Sequence, residues 1–183
     1  MLILDVGGNN GLRSRKAYPE ASIKVLDKLD GFDVEKNELP SGNWDVILCN
    51  HIIEHLGDVD DFLEKITRVI NRGVLEISTP NMCAWFNRLL FLFGYLPHSY
   101  EVSRLYNVGK AFGWNSERLG GHIRLFTPLA LTQLLKQHGF KILSVKGERN
   151  TEYPACGLIK ILDKVLTINP NLSSSFRIIA RRL

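Results

Sequence analysis

Cysteine is scarce in this chain of 183 residues. Only Cys49, Cys83 and Cys156 occur, odd in number and irregularly spaced. Such a set builds neither a disulfide framework nor a zinc ribbon, so a reducing, cytoplasmic setting is expected. Long apolar runs are missing too. The most apolar stretch, residues 82–96, is interrupted by Asn87, Arg88 and Gly94. It falls short of the roughly 20 apolar residues that span a bilayer. Stable membrane insertion is therefore not expected, although an amphipathic lid or interfacial segment stays open. No basic segment precedes the first apolar residues, and Asp5 with two glycines interrupts them, so no signal peptide is read. Repeats, low-complexity tracts and dividing linkers are absent. Charge of one sign is not concentrated anywhere: 23 Lys and Arg against 19 Asp and Glu leave a net +4, scattered along the chain. That pattern gives no footprint for DNA and does not favour RNA.

What remains is an ordinary globular composition, long enough for one domain over residues 1–183 with a substantial core. Short apolar runs alternate with helical patterns, the signature of a largely parallel sheet with crossover helices. Strands are expected at residues 2–6, 23–26, 44–49, 74–78, 140–145 and 174–180, with a weaker one at 32–35. Helices are expected at 12–18, 58–70, 127–138 and 155–166. Thr127 before Pro128 is a helix start, with the hydroxyl as cap and proline at the first helical position. Residues 82–121 are aromatic-rich and irregular, and read as an insertion.

The chemistry starts at the first strand. LDVGGNNG places Asp5 at a strand end, followed by a turn containing Gly7, Gly8 and Gly11 and then a helix. Glycines let a backbone bend sharply and approach a ligand, and α/β sheets receive nucleotides at the carboxyl ends of their strands. Some twenty residues on, Asp27 closes the second strand, where an acid can accept both hydroxyls of a ribose. NAD and S-adenosylmethionine both satisfy this logic. The register of Gly7-Gly8-Asn9-Asn10-Gly11 does not match the dinucleotide pattern G-x-G-x-x-G.

The loop resembles instead the first motif of class I S-adenosylmethionine-dependent methyltransferases, Asp/Glu-x-Gly-x-Gly-x-Gly. Asp5, Gly7 and Gly11 match, and Asn9 stands where the middle glycine is usual. LPSGNWDVILCNHIIEHL (39–56), residues 68–81 and GHIRLFTPLALTQLLKQHGF (121–140) are similar to later blocks of the same family, in the same order. The resemblance implies a Rossmann-like α/β fold with about seven strands, mostly parallel, the last antiparallel. It implies S-adenosylmethionine as cofactor and methylation of an oxygen or nitrogen of a small molecule. Asp5, Gly7, Gly8, Asn9 and Gly11 would line the methionine and ribose portions, Asp27 the ribose, Leu29 the adenine, and Glu35 the adenine amino group. Asn50 and His51 would border the methionine end and the acceptor. Family members usually carry N-terminal helices over the cofactor, so a partner chain or a second copy covering the site is an expectation. A noncatalytic cofactor-binding subunit is the alternative, motivated by that cover and by Asn9.

The HIIEH cluster has two metal readings. H-x-x-E-H is a metallopeptidase spacing, but that motif needs a long helix and here it follows a strand directly. Some O-methyltransferases acting on RNA 3′ ends or quinone precursors resemble the chain, with a Glu-x-x-Glu-His cluster and a later histidine on a divalent ion. His51, Glu54, His55 and His122 would be the corresponding set. The first expectation is no metal, with His51 or His122 as general base, since imidazole titrates near neutral pH. Arg124 would bind an acidic substrate group or a carboxylate of the protein. Trp85, Phe86, Tyr95, Tyr100, Tyr106 and Trp114 suggest an acceptor with an apolar or planar part.

Overall fold

The computed structural model describes residues 1–111, 120–149 and 157–183. Six strands form one sheet: β1 (Leu2–Val6), β2 (Ser22–Leu26), β3 (Val46–Asn50), β4 (Val74–Pro80), β5 (Phe140–Glu148) and β6 (Ser175–Arg182). Their spatial order is β2-β1-β3-β4-β6-β5. β6 runs antiparallel to both β4 and β5, and the pairs among β2, β1, β3 and β4 are parallel. This is the Rossmann-like α/β arrangement with its antiparallel final strand. β1 and β3 are covered on both faces, which is why they read as continuous apolar runs rather than alternating ones. Leu4, Val6, Ile47 and Cys49 enter the main core with Phe62, Leu63 and Ile66, while Ile3, Val46 and Leu48 form a smaller cluster on the other face.

The helices are α1 (Leu12–Ala17), α2 (Val59–Val69), α3 (Trp85–Leu92), α4 (Pro128–Gln137) and α5 (Gly157–Leu166). The expected start of α5 near Ala155 lies outside the described residues. α2 begins at Asp58, whose carboxylate accepts from Asp61 N at 3.0 Å, and its apolar spacing buries Phe62, Leu63, Ile66 and Val69. Thr127 caps α4 by accepting from Ala130 N at 3.0 Å, with Pro128 in the first turn. Gly139 follows at φ +80°, a backbone that favours glycine and lets the chain turn at once into β5.

The expected seventh strand at 32–35 is not formed. Asp33 closes the segment into a turn: Lys36 N and Asn37 N donate to its carbonyl at 3.0 and 2.8 Å, and Glu35 N donates to its carboxylate at 3.1 Å. The buried Lys65 ammonium of α2 then donates to Val34 O at 2.8 Å, which fixes the turn against the core. The insertion at 82–121 is not wholly irregular, since it contains α3.

Candidate functional site

The order β2-β1-β3 places the reversal of the sheet between β1 and β3. Crevices at the carboxyl ends of such strands are where α/β sheets hold ligands. Both chemistry-bearing segments leave the sheet there, the glycine loop after β1 and the Asn50–His51 corner after β3.

Sterics dictate the glycine loop. A Cβ on Gly7 would lie 2.8 Å from Ile52 Cδ1, one on Gly11 2.7 Å from Val25 Cγ2, and one on Gly8 2.2 Å from Asp5 Oδ2. Gly7 and Gly11 also sit at φ +73° and +71°, and Asn9 takes the left-handed region at +53°. Asparagine tolerates that geometry better than most side chains. Asp27 pins the loop: Oδ2 accepts from Asn9 N at 2.7 Å and Oδ1 from Leu29 N at 3.0 Å. Asp5 is buried, and its Oδ1 has no hydrogen-bond partner. Burial raises its pKa above the ordinary aspartate value, the Ser14 hydroxyl opposes that, and the charge of Asp27 adds to it. A buried, unsatisfied carboxylate oxygen is costly on its own and cheap once a donor arrives.

Beside the loop lies a cavity of about 230 Å³. Leu26, Phe32, Val34 and Ile52 give it apolar walls, Gly7 and Asp27 meet it at one edge, and His51 and His55 also face it.

The corner after β3 is built differently. His51 adopts φ +53°, unusual for a residue with a β-carbon, and its N–H donates to Ser78 O at 2.9 Å. Its ring Nδ1 lies 3.2 Å from Glu54 Oε1. Glu54 is fully buried and its Oε2 accepts from Thr79 Oγ1 at 3.0 Å. Burial works to raise the Glu54 carboxyl, but the His51 hydrogen bond and the nearby His51 and His55 charges outweigh it, leaving the pKa below the ordinary glutamate value. Residues 53–55 form a single 3-10 turn rather than a helix.

The loop at 120–124 closes over this corner. Glu101 accepts from Gly120 N at 2.6 Å and Gly121 N at 2.9 Å, and Ile123 N donates to Glu54 O at 2.9 Å. His55 Nδ1 lies 3.1 Å from Gly121 O, and His122 Nδ1 lies 2.8 Å from Ser99 O. Carbonyl oxygens only accept, so both rings carry a proton on Nδ1, and Nε2 lies outside these bonds. The two rings stand 4.8 Å apart. Burial, then the neighbouring His55 charge, lower the His122 pKa, and the Glu54 and Glu101 carboxylates oppose them in part. Donor atoms of Glu54, His55 and His122 all fall within 4.8 Å of one another.

Several sequence candidates lie apart from this convergence. Leu29 is 78% exposed and does not line the cavity. Glu35 Oε1 accepts from Gly57 N at 2.7 Å, and Glu35 faces Lys28 at 3.9 Å. Asn50 accepts from the Ser78 hydroxyl at 2.9 Å, and Arg124 donates to Gly57 O at 2.6 Å. Trp85 and Phe86 pack edge to face on each other, and Trp114 lies outside the described residues. Sequence reasoning missed Phe32, Val34 and Ile52 as cavity walls, and Glu101 as the anchor of the histidine loop. The sequence pattern puts Phe32 and Val34 in a strand. The Gly120-Gly121 pair was the only signal for the anchored loop.

A methyltransferase domain family matches residues 1–145. No curated protein matches the sequence significantly. Among solved structures, an S-adenosylmethionine dependent methyltransferase from Mesorhizobium loti is similar at TM-score 0.61 and 16% identity, over 98% of this chain and 90% of that one. An S-adenosylmethionine-dependent methyltransferase from Clostridium acetobutylicum gives 0.56 and 11%, over 99% and 83%. The [4+2]-cyclase SpnF gives 0.55 and 13%, over 99% and 74%. At these identities the structures speak for the fold, and the SpnF likeness warns that this fold hosts more than one chemistry.

Proposed function

The chain belongs to the methyltransferase domain family of the class I S-adenosylmethionine-dependent superfamily, and from that premise we propose that it methylates an oxygen or nitrogen of a small molecule. The observation that carries the reading is the unsatisfied Oδ1 of buried Asp5, beside a loop that only glycines let pack this tightly against Asp5, Val25 and Ile52. Those residues fit the cofactor. Asp5 would accept from its ammonium group. Asp27 would take the ribose hydroxyls, because each of its oxygens keeps a lone pair beyond the backbone bond it accepts. Gly7, Gly8, Asn9 and Gly11 would supply the close backbone approach. The slot between Leu26, Phe32, Val34 and Ile52 suits a flat heteroaromatic ring.

When bound, the cofactor supplies an electrophilic methyl group on a cationic sulfonium. The protein's part is to place the acceptor, exclude water and take a proton. His51 is the proton acceptor in this reading. Its Nδ1–H donates to Glu54 Oε1, which fixes the ring, and Nε2 would be the atom that takes the proton. His122, whose ring stands 4.8 Å from that of His55, would replace His51 for a larger acceptor. Calorimetric titration with S-adenosylmethionine and S-adenosylhomocysteine, followed by turnover on a panel of hydroxyl and amine metabolites, tests the proposal. Binding of both ligands, with turnover lost in His51→Ala at unchanged cofactor affinity, is the expected result. A wild-type protein that binds neither ligand contradicts it.

One observation favours a second reading, a divalent metal at Glu54, His55 and His122. Histidines that ligate metals commonly donate their other ring N–H to a carbonyl, as both rings do here. Two imidazoles and a carboxylate suit zinc or a similar borderline cation. Titration with zinc or manganese, and turnover measured with and without a chelator, decide it. Turnover indifferent to chelation removes the metal from the mechanism.

A further inference from the structure

Helices α3 and α5 each expose several apolar side chains. In α3 the buried residue is Asn87, which donates to Asn81 O at 3.0 Å and accepts from His98 N at 3.1 Å. Leu89 and Leu92 of that helix are exposed, with Phe93 just beyond it, the last two by 78% and 76%. Among the described side chains of α5 the buried one is Asp163, which accepts from Trp85 Nε1 at 3.2 Å and Arg149 Nε at 3.1 Å. Ile161 and Val165 face solvent, and Ile168 after the helix is 84% exposed. A surface helix ordinarily buries its apolar stripe and wets the polar one. Here, among the described side chains, the buried position of each helix is polar and the exposed ones include large apolar groups.

The Trp85–Asp163 bond joins the helices, and Leu89 and Leu92 lie four and seven positions beyond Trp85, on the same stripe of α3. Single exposed apolar residues need no explanation, but a contiguous patch does. The charge beside it has one sign. Arg88, Lys160 and Lys164 are exposed, and among the described residues of both helices Asp163 is the sole acid, turned inward. A second copy would bring these cations against each other. An anionic bilayer answers both features, its headgroup boundary taking the apolar side chains and its phosphates the ammonium groups. Among the described residues no helix is long and apolar enough to cross a membrane, so the contact is interfacial.

We propose that the α3–α5 face docks on an anionic lipid bilayer. The inference stands apart from methyl transfer, since neither helix supplies a residue to the cofactor or proton-transfer site. Flotation with phosphatidylcholine vesicles, with and without phosphatidylglycerol, tests it. The protein is expected to float with the anionic vesicles only, less so as salt is raised. Lys160→Glu/Lys164→Glu and Leu92→Ser/Phe93→Ser should each weaken binding about tenfold or more, with cofactor affinity and thermal transition unchanged because the four side chains are exposed. Absence of flotation overturns the proposal, as does flotation that both double variants leave intact. A dimer that Leu92→Ser/Phe93→Ser converts to monomer would assign the face to a second copy and overturn it equally.

Discussion

The glycine loop after β1 and the corner after β3 each bury a carboxylate at the same end of the sheet, and they treat it in opposite ways. Around Asp5 the backbone supplies no donor to Oδ1, and burial pushes the acid up. Around Glu54 a histidine and a threonine hydroxyl each reach an oxygen, and the acid is held down despite its burial. The folded chain has satisfied Glu54 for itself and left Asp5 for something else to satisfy. Ionised Glu54 therefore stabilises the protein without ligand, whereas ionised Asp5 strains it until a donor binds.

The largest effect that would break this contrast comes from Glu54→Ala. It strands the Thr79 hydroxyl and frees the His51 ring, while the backbone bond from Ile123 N to the residue 54 carbonyl stays. A loss of about 3 kcal/mol is expected in denaturant unfolding. Because the Glu54 pKa is lowered on folding, its contribution is present above the ordinary glutamate range and lost as pH falls through the folded value. The variant should therefore show a flatter acid limb than wild type.

Next comes Gly8→Ala, which would set a methyl group 2.2 Å from the Asp5 carboxylate. The strain should cost roughly 2 kcal/mol of stability and displace Asp5, so titration should show cofactor affinity lost. Retained affinity would mean that the loop is not the binding cradle. The smallest effect belongs to Glu101→Gln. One of two backbone donors at Gly120 and Gly121 would lose its acceptor, for about 1 kcal/mol. Turnover should fall while cofactor affinity stays, since Glu101 touches the histidine loop and not the glycine loop.

The glycine-loop end of this contrast could be read from the sequence because it is local. Asp5, three glycines and Asp27 lie within 23 residues, and chain geometry forces them together. The fold class was legible for the same reason, since buried strands, caps and breakers such as Asp58, Thr127 and Gly139 announce themselves in short windows. Elsewhere the decisive partners are distant. Phe32 and Val34 fit a strand pattern until Asp33 curls the segment and Lys65, some thirty residues on, fixes it. His55 meets His122 only because Glu101 and Ser99 hold a loop that follows them by about twenty residues. Composition showed α3 and α5 to be apolar but could not say which way they face. That direction is set by hydrogen bonds to Asn87 and Asp163.

Asp5→Asn tests the central claim most directly, with thermal unfolding and S-adenosylhomocysteine titration made on the same samples. Because folding raises the Asp5 pKa, the wild type without ligand loses stability as pH rises from the ordinary aspartate value through the folded one. A neutral amide removes that loss. The account predicts a variant more stable than wild type at neutral pH, yet binding the ligand about 10- to 100-fold more weakly, the worth of a charged hydrogen bond. A variant that is less stable and binds as tightly as wild type would contradict it.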